Sequence, residues 1–158
     1  MRNSTGFEYI EISQALIRQE NHFLMQLRDF KPDIESPGQW GFFAGHHEQG
    51  ENAEEAMWRE LEEELRWQPK KLLFLDTFLF GNRRIHVFRC DLSGDQEKLS
   101  LQEGLEFGLF SPKEIRSGQL YSRKKSRHYP ITTIAMEVFR SVYGDLKDLD
   151  PNKPLPIH

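Results

Sequence analysis

The chain has 158 residues, of which 37% are hydrophobic and 29% are charged, and its formal net charge is −4. This length is enough for one domain with a buried core, and the composition excludes a disordered acidic tail and a membrane protein. The acidic balance argues against binding to a nucleic acid polymer, which needs a basic surface. Small phosphorylated ligands stay open, because a bound metal ion can supply positive charge.

The sequence carries no sign of export or of membrane insertion. No apolar run approaches the roughly 20 residues that span a bilayer, and Met1–Phe7 lacks the basic and then apolar pattern of a signal peptide. We therefore expect a cytoplasmic protein. The single cysteine, Cys90, has no partner for an internal disulfide and lies in an alternating apolar stretch, which predicts a packing role.

The first part of the chain predicts a β-hairpin, a loop and a short strand. β-Branched and aromatic residues occur in two runs, Tyr9–Ile17 and His22–Arg28, which polar residues separate. The prolines and glycine of Asp29–Gln39 favour a loop, and the aromatic run Trp40–Phe43 follows it.

A helix is predicted to begin after Asn52. Asn52 has the residue type of an N-cap, and Glu55 stands at the reciprocal position of a capping box. At 3.6 residues per turn, one apolar stripe forms on Met57, Leu61 and Leu65. An arc of roughly 100° beside that stripe holds Ala56, Glu60, Glu63 and Glu64.

The second half of the chain predicts another hairpin, one further strand and two helices. Lys71–Phe80 and Arg83–Asp91 are β-rich runs joined at Gly81-Asn82, a plausible tight turn. Glu106–Phe110 reads as a strand, and Ser111–Glu114 is a capping box with proline at the first helical position. Helical spacing then recurs at Ile131, Ile134, Ala135, Val138, Phe139 and Val142. The order of elements indicates a mixed sheet flanked by helices, in the α+β or α/β class.

The glutamates of the central helix need an explanation. Like charges four residues apart, as at Glu60 and Glu64, destabilise a helix by about 0.2–0.5 kcal/mol per pair. A hard divalent cation would neutralise them, because such ions prefer carboxylate oxygens. Arg59 could orient one or more of these carboxylates through its guanidinium fork. The alternative is an ordinary solvated acidic face.

The residues around these glutamates favour a metal site over a solvated acidic face. Their pattern resembles the Nudix box, Gly-x5-Glu-x7-Arg-Glu-aliphatic-x-Glu-Glu-x-Gly-aliphatic, and the matching residues are Gly45, Glu51, Arg59, Glu60, Leu61, Glu63 and Glu64. The aromatic stretch Trp40–Gly45 stands where the family has a strand and turn before the helix. The resemblance extends over a core of about residues 7–143 within a single domain of residues 1–158, and we expect the tail after Gly144 to be loosely packed.

The resemblance implies a Nudix-type αβα sandwich with a mixed central sheet and a Mg²⁺- or Mn²⁺-dependent hydrolase of the MutT type. The metal ligands would be Glu60, Glu63 and Glu64, with the backbone carbonyl of Ala44, and Glu51 and Arg59 would brace them. A water activated by the metal would attack phosphorus in a pyrophosphate linkage. The substrate would be a (deoxy)nucleoside triphosphate or a nucleoside diphosphate sugar.

The sequence departs from the family pattern at the end of the box. Arg66 and Trp67 replace the glycine and the aliphatic residue. Because glycine there would end the helix with a positive φ, we expect the helix to end differently at Arg66.

A second group of candidate residues lies outside the box. Glu103 or Glu106, but not both, is expected to supply a further catalytic carboxylate, and Glu103 is favoured because the polar segment around Gly104 can move. Arg28 could contact a phosphate or form a surface ion pair. His46 and His47 are expected to be solvated. The basic run Arg123–Arg127 is expected to lie on the surface.

Three functions remain open on these residues. The first is pyrophosphate hydrolysis in a small nucleotide substrate, and the second is a non-catalytic nucleotide-sensing module, against which the complete glutamate set speaks. The third, isoprenyl diphosphate isomerisation, lacks a plausible catalytic cysteine. No nucleic acid polymer or membrane partner is expected, and a homodimer is possible.

Overall fold

The computed structural model describes Gly6 and residues 8–144 of the chain. Within this part, seven strands form one sheet: β1 (Ile10–Gln19), β2 (His22–Leu27), β3 (Trp40–Gly41), β4 (Phe43–His46), β5 (Leu73–Phe80), β6 (Arg83–Asp91) and β7 (Glu106–Phe110). The helices are α1 (Ala53–Leu65), α2 (Pro112–Arg116) and α3 (Thr133–Tyr143). A separate two-stranded sheet consists of β8 (Gln119–Ser122) and β9 (Arg127–Pro130), and Asp95–Lys98 is a short 3₁₀-helix.

The large sheet is mixed. β1 pairs in parallel with β6 and antiparallel with β2 and β4, and the remaining pairs are antiparallel. β1 and β2 pair only beside their turn, at Arg18 with Phe23 and at Gln19 with His22. Farther from the turn β3 pairs with β2 and β4 pairs with β1, so the chain segment that leads into α1 lies at the centre of the sheet.

Each face of the sheet buries its own core. Ile12 and Leu16 of β1 pack on the side of α3, whereas Ala15 and Ile17 pack on the side of α1, as strand alternation requires. α3 contributes Ala135, Val138, Phe139 and Val142 to the first core. α1 contributes its predicted stripe, Met57, Leu61 and Leu65, to the second. The predicted sandwich with a mixed central sheet is confirmed.

Most predicted elements are confirmed with small shifts at their ends. Both capping boxes form, at Asn52 with Glu55 and at Ser111 with Glu114. The aromatic run is split, because β3 ends before Phe42 and β4 begins after it. Cys90 is buried in β6, in agreement with a packing role. The expectation for the tail falls outside the described residues, except for Gly144 at the end of α3.

Two differences have physical reasons. The hairpin of β8 and β9 escaped prediction because its strands have four residues each and mostly exposed side chains, so the apolar alternation is weak. Residues Arg123–Ser126 of the basic run form the turn of this hairpin, Arg127 begins β9, and the whole run is exposed, as expected. Among the residues the structure describes, no helix has both the length and the apolar character needed to cross a bilayer.

The expected change at the end of α1 is wrong. Arg66 is the C-cap and adopts φ 52° and ψ 38°, the left-handed conformation that glycine would provide. Its N–H donates to the carbonyl of Glu62 at 3.0 Å. The helix therefore ends in the conformation that a glycine would adopt, and Arg66 carries the steric cost.

Candidate metal and substrate site

One large cavity joins most of the candidate residues. Its volume is about 920 Å³, and its lining includes Ala44, Gly45, Glu60, Glu63, Glu64, Glu103 and Arg28. Glu51 and Arg59 do not line it; they lie behind the carboxylates of α1. The fold therefore places the candidate ligands around one space and the candidate bracing residues outside it.

Arg59 is the hub of the acidic cluster. Its Nε and Nη2 donate to the two carboxylate oxygens of Glu51 at 2.7 and 2.9 Å, a bidentate pair. Its Nη1 donates to Glu60 at 2.9 Å and to Glu63 at 3.2 Å, and its Nη2 also reaches the carbonyl of His46 at 3.0 Å. These bonds lower the pKa of Glu51 to about 2, chiefly through the hydrogen bond from Arg59. Arg59 thus fixes two of the three candidate metal ligands.

Gly45 makes room for Glu60. A Cβ atom built on Gly45 would lie 1.9 Å from the carboxyl carbon of Glu60, a distance that no side chain tolerates. Glu60 is only 9% exposed, and burial is the main cause that raises its pKa. A side chain at position 45 would therefore displace the Glu60 carboxylate from the place it occupies.

Glu64 and Glu103 meet across the cavity wall. The pKa of Glu64 is raised to about 7, chiefly by burial and then by the negative charges of Glu103 and Glu60 and a hydrogen bond with Glu103. Two carboxyl groups that share a hydrogen bond must share a proton when no cation is present. The pair is hence a place where a cation would replace a proton.

The carbonyl of Ala44 faces away from β1. The N–H of His47, directly after β4, donates to the carbonyl of Glu11. The backbone N–H and C=O groups of the odd-numbered residues of β4 therefore point towards β1. In an antiparallel ladder the intervening residues turn their backbone groups to the other side. The carbonyl of His46 follows this rule, since it accepts from Arg59. The same alternation leaves the Ala44 carbonyl out of the β1 ladder and free to act as a ligand.

The segment that carries Glu103 is tied down at both ends. The N–H of Gln102 donates to the carbonyl of Glu64 at 2.9 Å, and the N–H of Leu105 donates to the carbonyl of Leu27 at 2.9 Å. Gly104 between them has φ +88° and would meet the Gln26 side chain at 2.8 Å if it carried a Cβ. Hydrogen bonds to α1 and β2 thus place Glu103 beside Glu64, and the expected freedom of this segment to swing stays a prediction.

Glu106 has a different role. Its carboxylate accepts a short hydrogen bond from the hydroxyl of Ser122 in β8, and it does not line the cavity. Glu106 thus joins the large sheet to the small one.

Basic side chains line another part of the cavity. Arg28 lies there, and its Nε donates to the carbonyl of Glu35 at 2.7 Å. Arg83 also lines the cavity and bonds the Glu35 carboxylate at 2.6 Å, and Lys31 lies nearby. The sequence reasoning missed Lys31 and Arg83, because cationic residues in a loop and at a strand end carry no periodic signal.

The expectation that His46 and His47 are both solvated is wrong for His47. Its Nε2 lies 2.9 Å from the hydroxyl of Ser13, and its ring stacks on that of His86 at 5.3 Å. Burial, followed by the neighbouring His86, lowers the pKa of His47. His46 is exposed and does line the cavity.

The residues present fit a hard divalent cation. They offer carboxylate and carbonyl oxygens, two of the carboxyl groups have raised pKa values in the absence of a cation, and Gly45 opens the space for one of them. The set is not a closed cage: among residues 8–144 no three His, Cys, Asp or Glu side chains converge as metal ligands. Mg²⁺ needs no such cage, because it typically takes one or two protein carboxylates and completes its shell with water and phosphate.

Comparison with known proteins identifies the family of this chain. A family model for the NUDIX domain matches residues 12–133. The chain belongs to the Nudix family. Nudix hydrolases in general cleave pyrophosphate bonds and use divalent cations. No curated protein sequence shows significant similarity to this one.

Solved Nudix structures share the fold. A structure of MutT, from a study of the Aliivibrio salmonicida and Vibrio cholerae proteins, has 22% identity and a TM-score of 0.64 over 85% of this chain and 97% of its own. The MutT Nudix hydrolase of Burkholderia pseudomallei has 20% identity and a TM-score of 0.64 over 85% and 98%. The dihydroneopterin triphosphate pyrophosphohydrolase of E. coli has 16% identity and a TM-score of 0.61 over 85% and 96%.

Proposed function

We propose that this Nudix chain is a Mg²⁺- or Mn²⁺-dependent hydrolase that cleaves a pyrophosphate linkage in a nucleoside diphosphate derivative. The observation that carries the proposal is the convergence of Glu60, Glu63, Glu64 and Glu103 on one cavity large enough for a nucleotide. The substrate class would be a (deoxy)nucleoside triphosphate or a nucleoside diphosphate sugar.

The candidates to hold the metal are Glu60, Glu63, Glu64 and the carbonyl of Ala44, and an Mg²⁺ ion would take one or two of these carboxylates and complete its shell with water and phosphate. It would neutralise phosphate oxygens and lower the pKa of the attacking water. Glu51 and Arg59 are positioning residues in this scheme, because Arg59 holds Glu60 and Glu63 through direct hydrogen bonds. Arg28, with Arg83 and Lys31 on the same wall, would attract the phosphate groups of the substrate.

Glu103 is the favoured additional catalytic carboxylate. It lines the cavity and contacts Glu64, whereas Glu106 is engaged with Ser122. Help from a general base is typically worth about 10²–10⁴-fold, so we expect Glu103→Gln to lower kcat about tenfold more than Glu106→Gln at constant Mg²⁺. Near-wild-type turnover in both variants would assign this work to the box glutamates or to His46.

The alternative is a non-catalytic nucleotide-sensing module. The complete set of carboxylates argues against it, because a sensor needs no metal-activated water. Isomerisation of an isoprenyl diphosphate is opposed by Cys90, whose pKa burial raises to about 12 and which lies outside the cavity. A cytoplasmic location, a homodimer and a single domain over residues 1–158 remain predictions.

Two measurements test the proposal. The first incubates the protein with Mg²⁺ and a panel of nucleoside triphosphates and nucleoside diphosphate sugars and identifies the products; no cleavage of any member would refute hydrolysis in favour of sensing. The second titrates Mn²⁺ into the wild type and into Glu64→Gln, with Glu106→Gln as a matched control outside the cavity. We expect weaker binding in Glu64→Gln only, with the fold intact because the carboxylates repel one another without metal. Equal affinity in all three proteins would refute the metal assignment.

A further inference from the structure

The cavity extends beyond the carboxylates to the face of the sheet that packs against α3. At this end the lining residues are mostly apolar, and the polar ones are the amide of Gln14 and the two threonines at the start of α3; the set is Ile12, Gln14, Phe42, Ala44, Ile85, Thr132, Thr133 and Ile134. A mostly apolar wall with few polar groups is the usual make-up of a site that binds a planar organic ligand.

Gln14 breaks the pattern of its own strand. It lies on the same face of β1 as Ile12 and Leu16, which both belong to the core on the α3 side, and it is only 5% exposed. Its partners in neighbouring strands are Ala44 and Val87, so neither offers a polar side chain. The buried Oε1 of Gln14 has no hydrogen-bond partner.

A buried oxygen without a hydrogen-bond donor lowers the stability of the fold unless a ligand or a water molecule supplies the donor. Native proteins keep few such groups. Here the position has the burial of a core residue, where an apolar side chain would pack without this cost. Gln14 is also among the residues that line the cavity. The amide is therefore suited to a partner that enters through the cavity.

The chemistry of the amide narrows that partner. A half-turn of the terminal bond exchanges the oxygen and nitrogen of a glutamine, so the amide matches an edge that carries a donor and an acceptor side by side. Nucleobases present such edges, and their flat faces suit an apolar wall. A sugar would match the amide but not the wall formed by Ile12, Phe42 and Ile85.

We propose that Gln14 is a specificity-determining residue that binds the edge of a nucleobase. The base lies on the apolar wall, and the pyrophosphate of the same molecule extends to the glutamates of α1. This inference rests on the proposed function for the pyrophosphate end, but the base-binding end does not depend on metal or on hydrolysis.

The test uses nucleosides, which carry no phosphate. Adenosine, guanosine, cytidine and uridine are titrated into the metal-free wild type, Gln14→Met and Gln26→Met, and binding is followed by amide chemical shifts. Gln26 is the matched control, because it is also a buried glutamine that lines this cavity. It shares a face of β2 with Leu24, and that face lies on the side of α1. Since one neutral hydrogen bond is worth up to about 1.5 kcal/mol, we expect affinity for at least one nucleoside to fall about tenfold in Gln14→Met alone.

A second measurement needs no variant. The nucleoside that the wild type binds best is compared with an analogue whose base N–H is methylated, and we expect about tenfold weaker binding of the analogue. The inference is overturned if no nucleoside binds the wild type, or if Gln14→Met binds all four nucleosides as the wild type does; a buried water would then satisfy the amide.

Hydrolysis separates this inference from the proposed function. Nucleoside binding that depends on Gln14, without cleavage of any nucleotide, would support the base site and refute the hydrolase. Cleavage of nucleotides with unchanged kcat/KM in Gln14→Met for every base would support the hydrolase and refute the base site.

Discussion

At the scale of single residues, the acidic cluster is organised before any ion binds. Arg59 contacts Glu51, Glu60 and Glu63 at once, and its side chain is only 20% exposed. Ion pairs shielded from water are held more firmly than exposed ones, and the planar fork of arginine fixes their geometry. The cluster is therefore preorganised, and its order depends on one guanidinium.

This arrangement predicts the effect of Arg59→Lys. A lysine ammonium cannot bind both oxygens of Glu51 in a fork and also reach Glu60 and Glu63. We expect kcat to fall at least about tenfold with little change in KM, because the residue positions ligands and does not grip the substrate. Steady-state kinetics at saturating Mg²⁺ measure both constants. A raised KM with unchanged kcat would show that Arg59 serves substrate binding instead.

Gly45 gives a second prediction at this scale. Gly45→Ala must displace the Glu60 carboxylate, since its Cβ would lie 1.9 Å from it. Gly41→Ala is the matched control, because a Cβ on that neighbouring strand meets nothing closer than 3.8 Å. We expect Mn²⁺ affinity to fall about tenfold or more in Gly45→Ala only, since a displaced ligand loses a charge-assisted contact. Similar affinities for the two variants would separate Glu60 from metal binding.

At the scale of elements, α1 is set by its own sequence at the first turn and by a strained residue at the last. Asn52 and Glu55 satisfy each other's backbone N–H groups at 2.8 and 3.2 Å. At the other end Arg66 adopts positive φ, which costs an L-residue about 1–2 kcal/mol in the left-handed region. The N–H groups of Ser100 and Gln102 then bond the carbonyls of Leu65 and Glu64.

The strain at Arg66 predicts a stabilising substitution. Arg66→Gly removes the steric cost but gives the unfolded chain more freedom, so we expect a net gain of about 0.5–1 kcal/mol in the free energy of unfolding. Arg66→Ala keeps the Cβ and should gain nothing. Urea denaturation of the three proteins measures the difference. A gain in Arg66→Ala equal to that in Arg66→Gly would place the effect in the arginine's charge and not in its backbone.

At the scale of the whole molecule, the sandwich assembles the site from segments far apart in sequence. One cavity is lined by α1, by β4 and by the segment around Glu103. Gln14 lines the same cavity from the face of the sheet that packs against α3. The ion pair of Glu51 and Arg59 connects α1 to the turn that precedes it. The Glu51 carboxylate also accepts a hydrogen bond from the N–H of Glu48 in that turn, at 2.7 Å. The stability of this junction should depend on pH.

The sign of that dependence follows from the pKa of Glu51. Its folded value, about 2, lies below the ordinary 4.5, so the stabilisation is fully present above pH 4.5 and is lost as the pH falls towards 2. We expect the stability difference between the wild type and Glu51→Gln to be constant above this window and to narrow within it. Chemical denaturation at a series of pH values measures it. A difference that stays constant down to the lower pH would rule out Glu51 as the titrating group.

Much of the fold followed from the sequence because its signals are local. The caps at Asn52 and Ser111, the buried stripe of α1 and the turn at Gly81-Asn82 depend on residues within a few positions of one another. The glutamate spacing likewise follows from the geometry of a single helix. These features required no knowledge of how the elements pack.

Tertiary structure alone decided the rest. Three features depend on residues that no periodicity relates: the contact of Glu103 with Glu64, the bond of Glu106 to Ser122, and the position of the Ala44 carbonyl outside the β1 ladder. Gln14 shows the difference most clearly. Its sequence neighbours predict only a strand, and its meaning depends on Ala44 and Val87 arriving beside it without a polar group. Such partners are set by the packing of the whole sheet, because a strand fixes which way a side chain faces but not what it meets there.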